Sequence, residues 1–260
     1  MAEGASTGDA LTESHRLPAA AALGDLSIDI HWPSSPASGL ALVVHGRNGA
    51  AAAPHMIPAV DTCLTRNFVV VAPNLSHSAH NDSAGVASGF TMAGHLADLQ
   101  AVYRWARARA KTEGVPLAQT LLVGHSMGAY AVCRLAAERP QGEITGVVAV
   151  SPVVSGNALI AARRRLGEAA IAAMRRELPQ AETEYPQHDL APVVADLTMP
   201  LAVIVGADDT VTPPQDATAF AATVPRAVHT DVLAGEHHCP LGPGYRRSLG
   251  TALDQILSQR

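Results

Sequence analysis

Cysteine is scarce in this sequence: Cys63, Cys133 and Cys239 stand far apart among 260 residues. Three is an odd number and no C-x-x-C pair occurs, so neither a disulfide framework nor a cysteine metal site is expected, and the thiols are read as reduced. Charge is sparse too, at 16% of residues against 48% hydrophobic, a balance that excludes a disordered chain and allows a sizeable core. Lysine is almost missing, with Lys111 alone beside 17 arginines. The net charge of −5 offers no electrostatic footprint for a nucleic-acid partner. No apolar run approaches the roughly 18 residues of a membrane span, so no membrane association is expected. Residues 1–14 lack the basic start and long apolar stretch of a secretory signal, and a cytoplasmic location is expected. With no repeat and no linker, one domain over 1–260 is expected, preceded by a loose tail at 1–12 and carrying an insertion at 153–197.

What the chain does have is a series of short apolar runs, each ended by a loop signal. Residues 26–32 alternate apolar and polar, and 40–44, 68–72, 120–123, 144–150 and 201–205 are continuously apolar, as strands buried on both faces are. A further strand is predicted at 227–233. Helices are predicted at 92–110, 129–138, 215–222 and 245–257. This alternation means an α/β fold, a mostly parallel sheet covered by helices on both sides, whose ligands bind beyond the carboxyl ends of the strands. The 153–197 interval is too long for a single crossover and reads as a small helical lid above the sheet. Its first helix is predicted over 157–178, with Leu159, Ile160, Leu166, Ala170, Ile171, Met174 and Leu178 on one face and Gly167 as a potential break. Arg163, Arg164 and Arg165 are read as a solvated face rather than an anion site, with Arg164 pairing Glu168 one turn on.

Gly124-His125-Ser126-Met127-Gly128 fits G-x-S-x-G directly between a buried strand and a helix, the context a nucleophile elbow requires. The turn is tight, and it sets the serine hydroxyl at a helix N-terminus, where developing negative charge is favoured. A serine needs a base, and the base needs an orienting carboxylate. Both follow in chain order: Asp208 and Asp209 after the strand at 201–205, then His237 and His238 after the strand at 227–233.

Over about residues 25–260 the chain resembles the α/β-hydrolase superfamily. The resemblance rests on His45-Gly46-Arg47-Asn48-Gly49, the elbow, the acid loop from Gly206 to Pro213 and the histidine loop from Gly235 to Pro240. It implies a catalytic triad of Ser126, Asp209 and His238, with Asp208 left to cap its turn. His238 is favoured by aligning Pro240 to the family proline, while relatives with the base two residues after the glycine point to His237. The displaced His237 is expected to pack against the oxyanion loop. The backbone N–H groups of Arg47 and Met127 are the implied oxyanion hole, and His45 is read as a buried support of its loop. The segment 72–82 departs from the family pattern, with Asn74 where an acid is usual. His77, His80 and Asp82 are read there as a polar loop lining the pocket mouth rather than a metal cluster. The implied activity is hydrolysis of a small-molecule carboxylic ester through an acyl-enzyme, with no cofactor and no metal. A thioesterase, lactonase, C–C bond hydrolase, aminopeptidase or cofactor-free peroxidase would need the same residues. A slow ligand receptor on this scaffold is the alternative from another class. A dinucleotide-binding fold is disfavoured, because no G-x-G-x-x-G follows any strand.

Overall fold

The apolar runs become the inner strands of one eight-stranded sheet in a computed structural model that describes residues 11–259. The strands are β1 (Thr12–Pro18), β2 (Asp25–His31), β3 (Gly39–Val44), β4 (Phe68–Asn74), β5 (Thr120–His125), β6 (Gly146–Val150), β7 (Leu201–Gly206) and β8 (Ala227–Leu233). Their spatial order is β1-β2-β4-β3-β5-β6-β7-β8. β1 and β2 run antiparallel to their neighbours, and the other pairings are parallel.

Of the tail expected over 1–12 only the last two residues are described, and the strand β1 that starts there was not expected. Residues 1–10 lie outside the described residues, but Thr12 opens a strand that pairs with β2 along its full length, Thr12 opposite His31 through Pro18 opposite Asp25. No apolar run announced it. An edge strand takes its register from backbone pairing and cross-strand polar contacts, here Ser14 to Asp29 and Thr12 to His31.

Within each inner strand, successive side chains point to opposite faces, so one apolar run feeds two cores. Leu40, Leu42 and Val44 face the layer that holds the helices α2 (Met92–Thr112), α3 (Met127–Ala137) and α7 (Pro214–Thr223). Ala41 and Val43 pack in the opposite layer with α1 (Ile57–Leu64) and α8 (Pro243–Leu257). Among the described residues, no helix is long and apolar enough to cross a membrane.

The helix expected over 157–178 is two helices. α4 (Gly156–Arg165) and α5 (Glu168–Glu177) are separated at Gly167, whose φ of 93° lies in the region that glycine alone adopts freely, and α6 (Ala181–Glu184) follows. The break resets the helical phase: Leu166 is 70% exposed, while Ile160, Ile171, Met174 and Leu178 stay buried. It also moves Glu168 away from Arg164, which reaches Glu182 instead, as Arg175 does. These pairs are exposed and contribute little to stability.

Candidate active site

Ser126 sits between β5 and α3 with φ 56° and ψ −119°, a strained backbone held by its N–H bond to the Val150 carbonyl at 2.9 Å. The strain is tolerable because the chains on either side come into contact. A Cβ on Gly124 would lie 2.4 Å from the Gly128 carbonyl oxygen, and one on Gly128 would lie 2.4 Å from the oxygens of Val44 and His45. Both glycines of the motif are therefore steric requirements, as the elbow reading anticipated.

The structure brings Ser126, His238 and Asp209 together. His238 Nε2 is 3.0 Å from Ser126 Oγ, and His238 Nδ1 is 2.9 Å from Asp209 Oδ2. Asp209 is 4% exposed. Its Oδ1 accepts the N–H groups of Val211 and Thr212, each at 2.8 Å, and its Oδ2 accepts the Thr212 hydroxyl. Burial pushes this carboxyl up, but the hydrogen bonds and charge of His238, with those from Thr212, outweigh it and hold the group at about 2. Asp209, rather than Asp208, therefore makes the turn's own side-chain bonds. Asp208 contributes backbone contacts, its N–H to the Glu236 carbonyl and its carbonyl to His237 Nδ1. His237 is exposed and lies against Asp208 rather than the oxyanion loop, which corrects the place expected for it.

Arg47 and Met127 both line the cavity that holds Ser126 and His238. Met127 opens α3, where the first N–H groups have no intrahelical acceptor. His45 is buried and neutral in its loop: Nδ1 donates to the Gly46 carbonyl, and Nε2 accepts the Leu75 N–H at 2.9 Å. His95 reaches the His45 carbonyl from α2 at 3.0 Å.

The segment 72–82 is not at the pocket mouth. It braces the loop after β3 from behind, with Ser78 and Asn81 donating to the Gly49 carbonyl and Asn74 accepting the Ala51 N–H. His77 places its ring nitrogens against the carbonyls of Val86 and Ala21, and Asp82 bonds Arg16 and Ser27, so these side chains are held apart from one another.

Two supporting residues escaped the sequence reading. Thr212 anchors the acid as described. His125 donates from Nε2 to the His238 carbonyl at 2.8 Å, and its ring lies against those of His238 and His55, with centroids 4.9 and 4.4 Å away. His125 occupies the first variable position of the motif, which was the one available signal. Potential metal-ligand atoms of His55, His125 and Cys239 lie within 4.8 Å of one another. Their donor types suit a thiophilic cation. The packing they show serves to hold the His238 loop against the elbow.

Burial keeps several of these histidines neutral. It lowers His45 to about 3 and His55 and His95 to about 4, and it takes His125 well below the ordinary 6.5, with neighbouring histidines adding to the effect at His45, His55 and His125. In the unfolded chain the same rings take up protons near pH 6.5. Their stabilisation is thus complete above that pH and is lost as pH falls toward the folded values, at up to about 1.4 kcal/mol per pH unit for each ring. Urea unfolding at pH 7, 5.5 and 4.5 should show stability falling steeply over this range. His95→Gln should lessen the slope by about one proton. A profile flat from pH 7 to 4.5 would refute the assignment of neutral buried rings.

The cavity above Ser126 has a volume of about 270 Å³. Its walls combine the elbow and histidine loop with Leu159 and Arg163 of α4, Ala173 and Met174 of α5, and Tyr185. Arg163 therefore belongs to the cavity wall and not only to a solvated face.

The described architecture is that of known hydrolases. Est1E from Butyrivibrio proteoclasticus superposes with a TM-score of 0.72 at 15% identity, covering 95% of this chain and 99% of that one. Its structure with ferulic acid bound gives 0.74 at 19% identity over 90% and 96%. The Pyrococcus furiosus esterase Pf2001 gives 0.71 at 18% identity over 96% and 91%. At such identities the likeness establishes the fold alone. No curated protein matches the sequence. The family described as serine aminopeptidase, S33, matches residues 37–191, which is more than half the chain and takes in the loop after β3 and the G-x-S-x-G turn. This chain accordingly belongs to the serine aminopeptidase S33 family of the α/β-hydrolase superfamily.

Proposed function

We propose that the protein hydrolyses carboxylic esters through an acyl-enzyme at Ser126. The observation that carries this reading is the continuous hydrogen-bonded line from Ser126 Oγ through His238 to the buried Asp209. His238 Nε2 takes the serine proton as Oγ attacks the ester carbonyl. Asp209, ionised at neutral pH, holds the ring with Nδ1–H toward itself and stabilises the imidazolium that forms. The N–H groups of Arg47 and Met127 receive the tetrahedral oxyanion, a contribution worth about 2.7–4 kcal/mol per donor in comparable enzymes. The imidazolium then protonates the departing alcohol. Water then gives a proton to His238 as its oxygen attacks the acyl carbon, and the imidazolium returns the proton to Ser126 Oγ as the bond to the acid breaks.

The same groups serve ester, thioester and lactone, so the scissile bond is chosen by the cavity. An aminopeptidase must also hold the ammonium of its substrate. The cavity wall carries two guanidiniums, Arg47 and Arg163, against the single carboxylate of Glu177, which disfavours that family activity. A panel of p-nitrophenyl esters of increasing chain length, with a thioester, a lactone and an aminoacyl anilide, tests the reading. Fastest turnover of the anilide would overturn it.

The cap helices act here as a lid over the acyl chain. Ile171, on the apolar face predicted for this segment, is 3% exposed and absent from the cavity wall, so changing it would test stability rather than binding. Ala173 is in the wall. Ala173→Trp should lower kcat/KM for an octanoate ester about tenfold, mainly through KM, and leave acetate within about threefold. Equal losses on both substrates would place the acyl chain elsewhere.

A further inference from the structure

The cavity described above is apolar over most of its wall, with Val153, Leu159, Met174 and Leu178 among its residues. Three polar groups in it have no structural partner. Tyr185 is 3% exposed, and its hydroxyl makes no hydrogen bond. Buried hydroxyls are almost always paired, so an unpaired one on a cavity-lining residue is a donor available to a ligand that reaches it. Arg47 and Arg163 make no ion pair among the described residues, although the neighbouring Arg164 and Arg175 both reach Glu182. Burial pushes the Tyr185 hydroxyl up and the Glu184 carboxylate adds to this, while the charges of Arg47 and Arg163 favour its ionised form, so both guanidiniums act on this spot. The opposing charge at this wall is Glu177, and His188 pairs with Glu184 just before Tyr185. The wall therefore carries more positive than negative charge, on a chain whose net charge is −5.

We propose that this cavity selects esters carrying a carboxylate on the chain that enters it, with Arg163 and Arg47 supplying the charge and the Tyr185 hydroxyl donating to a carboxylate oxygen. Guanidiniums suit this ligand, because their planar donors match a carboxylate in geometry as well as charge. The proposal names a substrate class for the ester-hydrolase reading and rests on that reading for turnover, though not for binding.

Two matched pairs test it. Monomethyl adipate against dimethyl adipate places the carboxylate on the acyl chain; 4-acetoxybutyrate against its methyl ester places it on the alcohol. In at least one pair, the wild type should favour the anion in kcat/KM by about tenfold at low salt, and the ratio should shrink in 0.5 M NaCl. Arg163→Glu should lower kcat/KM for that anion about tenfold more than for its neutral partner. Tyr185→Phe should raise KM for the anion with little change in kcat. Equal or better turnover of the neutral ester in both pairs, or equal losses on both partners in Arg163→Glu, would overturn the proposal. Binding is read separately on Ser126→Ala, whose thermal midpoint should rise by about 2 °C with monomethyl adipate or with 4-acetoxybutyrate and not with the neutral partner of that pair. That rise should vanish when Arg163→Glu is added. If the wild type cleaves neither pair yet this shift appears, the carboxylate site stands and the ester-hydrolase reading fails. If turnover of neutral esters is normal and no shift appears, the reverse holds.

Discussion

Replacing Ser126 with alanine should reduce kcat for the best ester by on the order of 10⁶-fold, the scale of losing a triad nucleophile, because the residual activity comes from the oxyanion donors and binding alone. A fluorophosphonate probe should label the wild type and leave Ser126→Ala unlabelled. The fold should persist. Alanine keeps the Cβ, so the strained φ of 56° and the N–H bond to Val150 are carried by the same backbone contacts. An unchanged thermal midpoint would check this. Labelling that survives the substitution would remove Ser126 from the mechanism, and a wild type that is never labelled would favour a binding protein on this scaffold.

The second large effect separates two adjacent histidines. His238→Ala should lower kcat almost as far as Ser126→Ala, and the double variant should lose little more, because triad members act as a unit. His237→Ala should keep kcat within about threefold, as an exposed surface substitution away from the chemistry does. The contrast follows from direction. His238 turns Nε2 to the serine and Nδ1 to Asp209, whereas His237 turns out to the Asp208 carbonyl. Asp209→Asn should cost about 10⁴-fold in kcat, since the ring then loses the partner that selects its tautomer. A crippled His237→Ala beside an active His238→Ala would make His237 the base and refute the triad as described.

Much of this was legible because it is local. A buried strand must be apolar on both faces, so β3, β4, β5 and β7 are written as continuous runs. The elbow is legible because contact of two chains leaves no room for a Cβ at Gly124 or Gly128. The alignment through Pro240 also picked the histidine that faces Ser126.

Other features depend on partners far away in the chain. β1 has no apolar signature because its order comes from pairing with β2. The segment 72–82 contains polar residues that read equally well as a pocket rim, and only the packing of the loop after β3 against it makes it a brace. Gly167 was visible, but whether it bends or breaks a helix depends on what each half can bury, and the cap buries Ile160 and Ile171 from separate helices. His125, Thr212 and Tyr185 are ordinary residues in sequence. They gain roles from neighbours 113, 26 and more than 20 residues distant: His125 against His238, Thr212 beside it, and Tyr185 in one cavity wall with Arg163. Short-range sterics and burial are encoded residue by residue and so can be read from one chain. The alignment of side chains around Ser126 is set by which loops the sheet order brings to a common edge, and that order exists only in the folded chain.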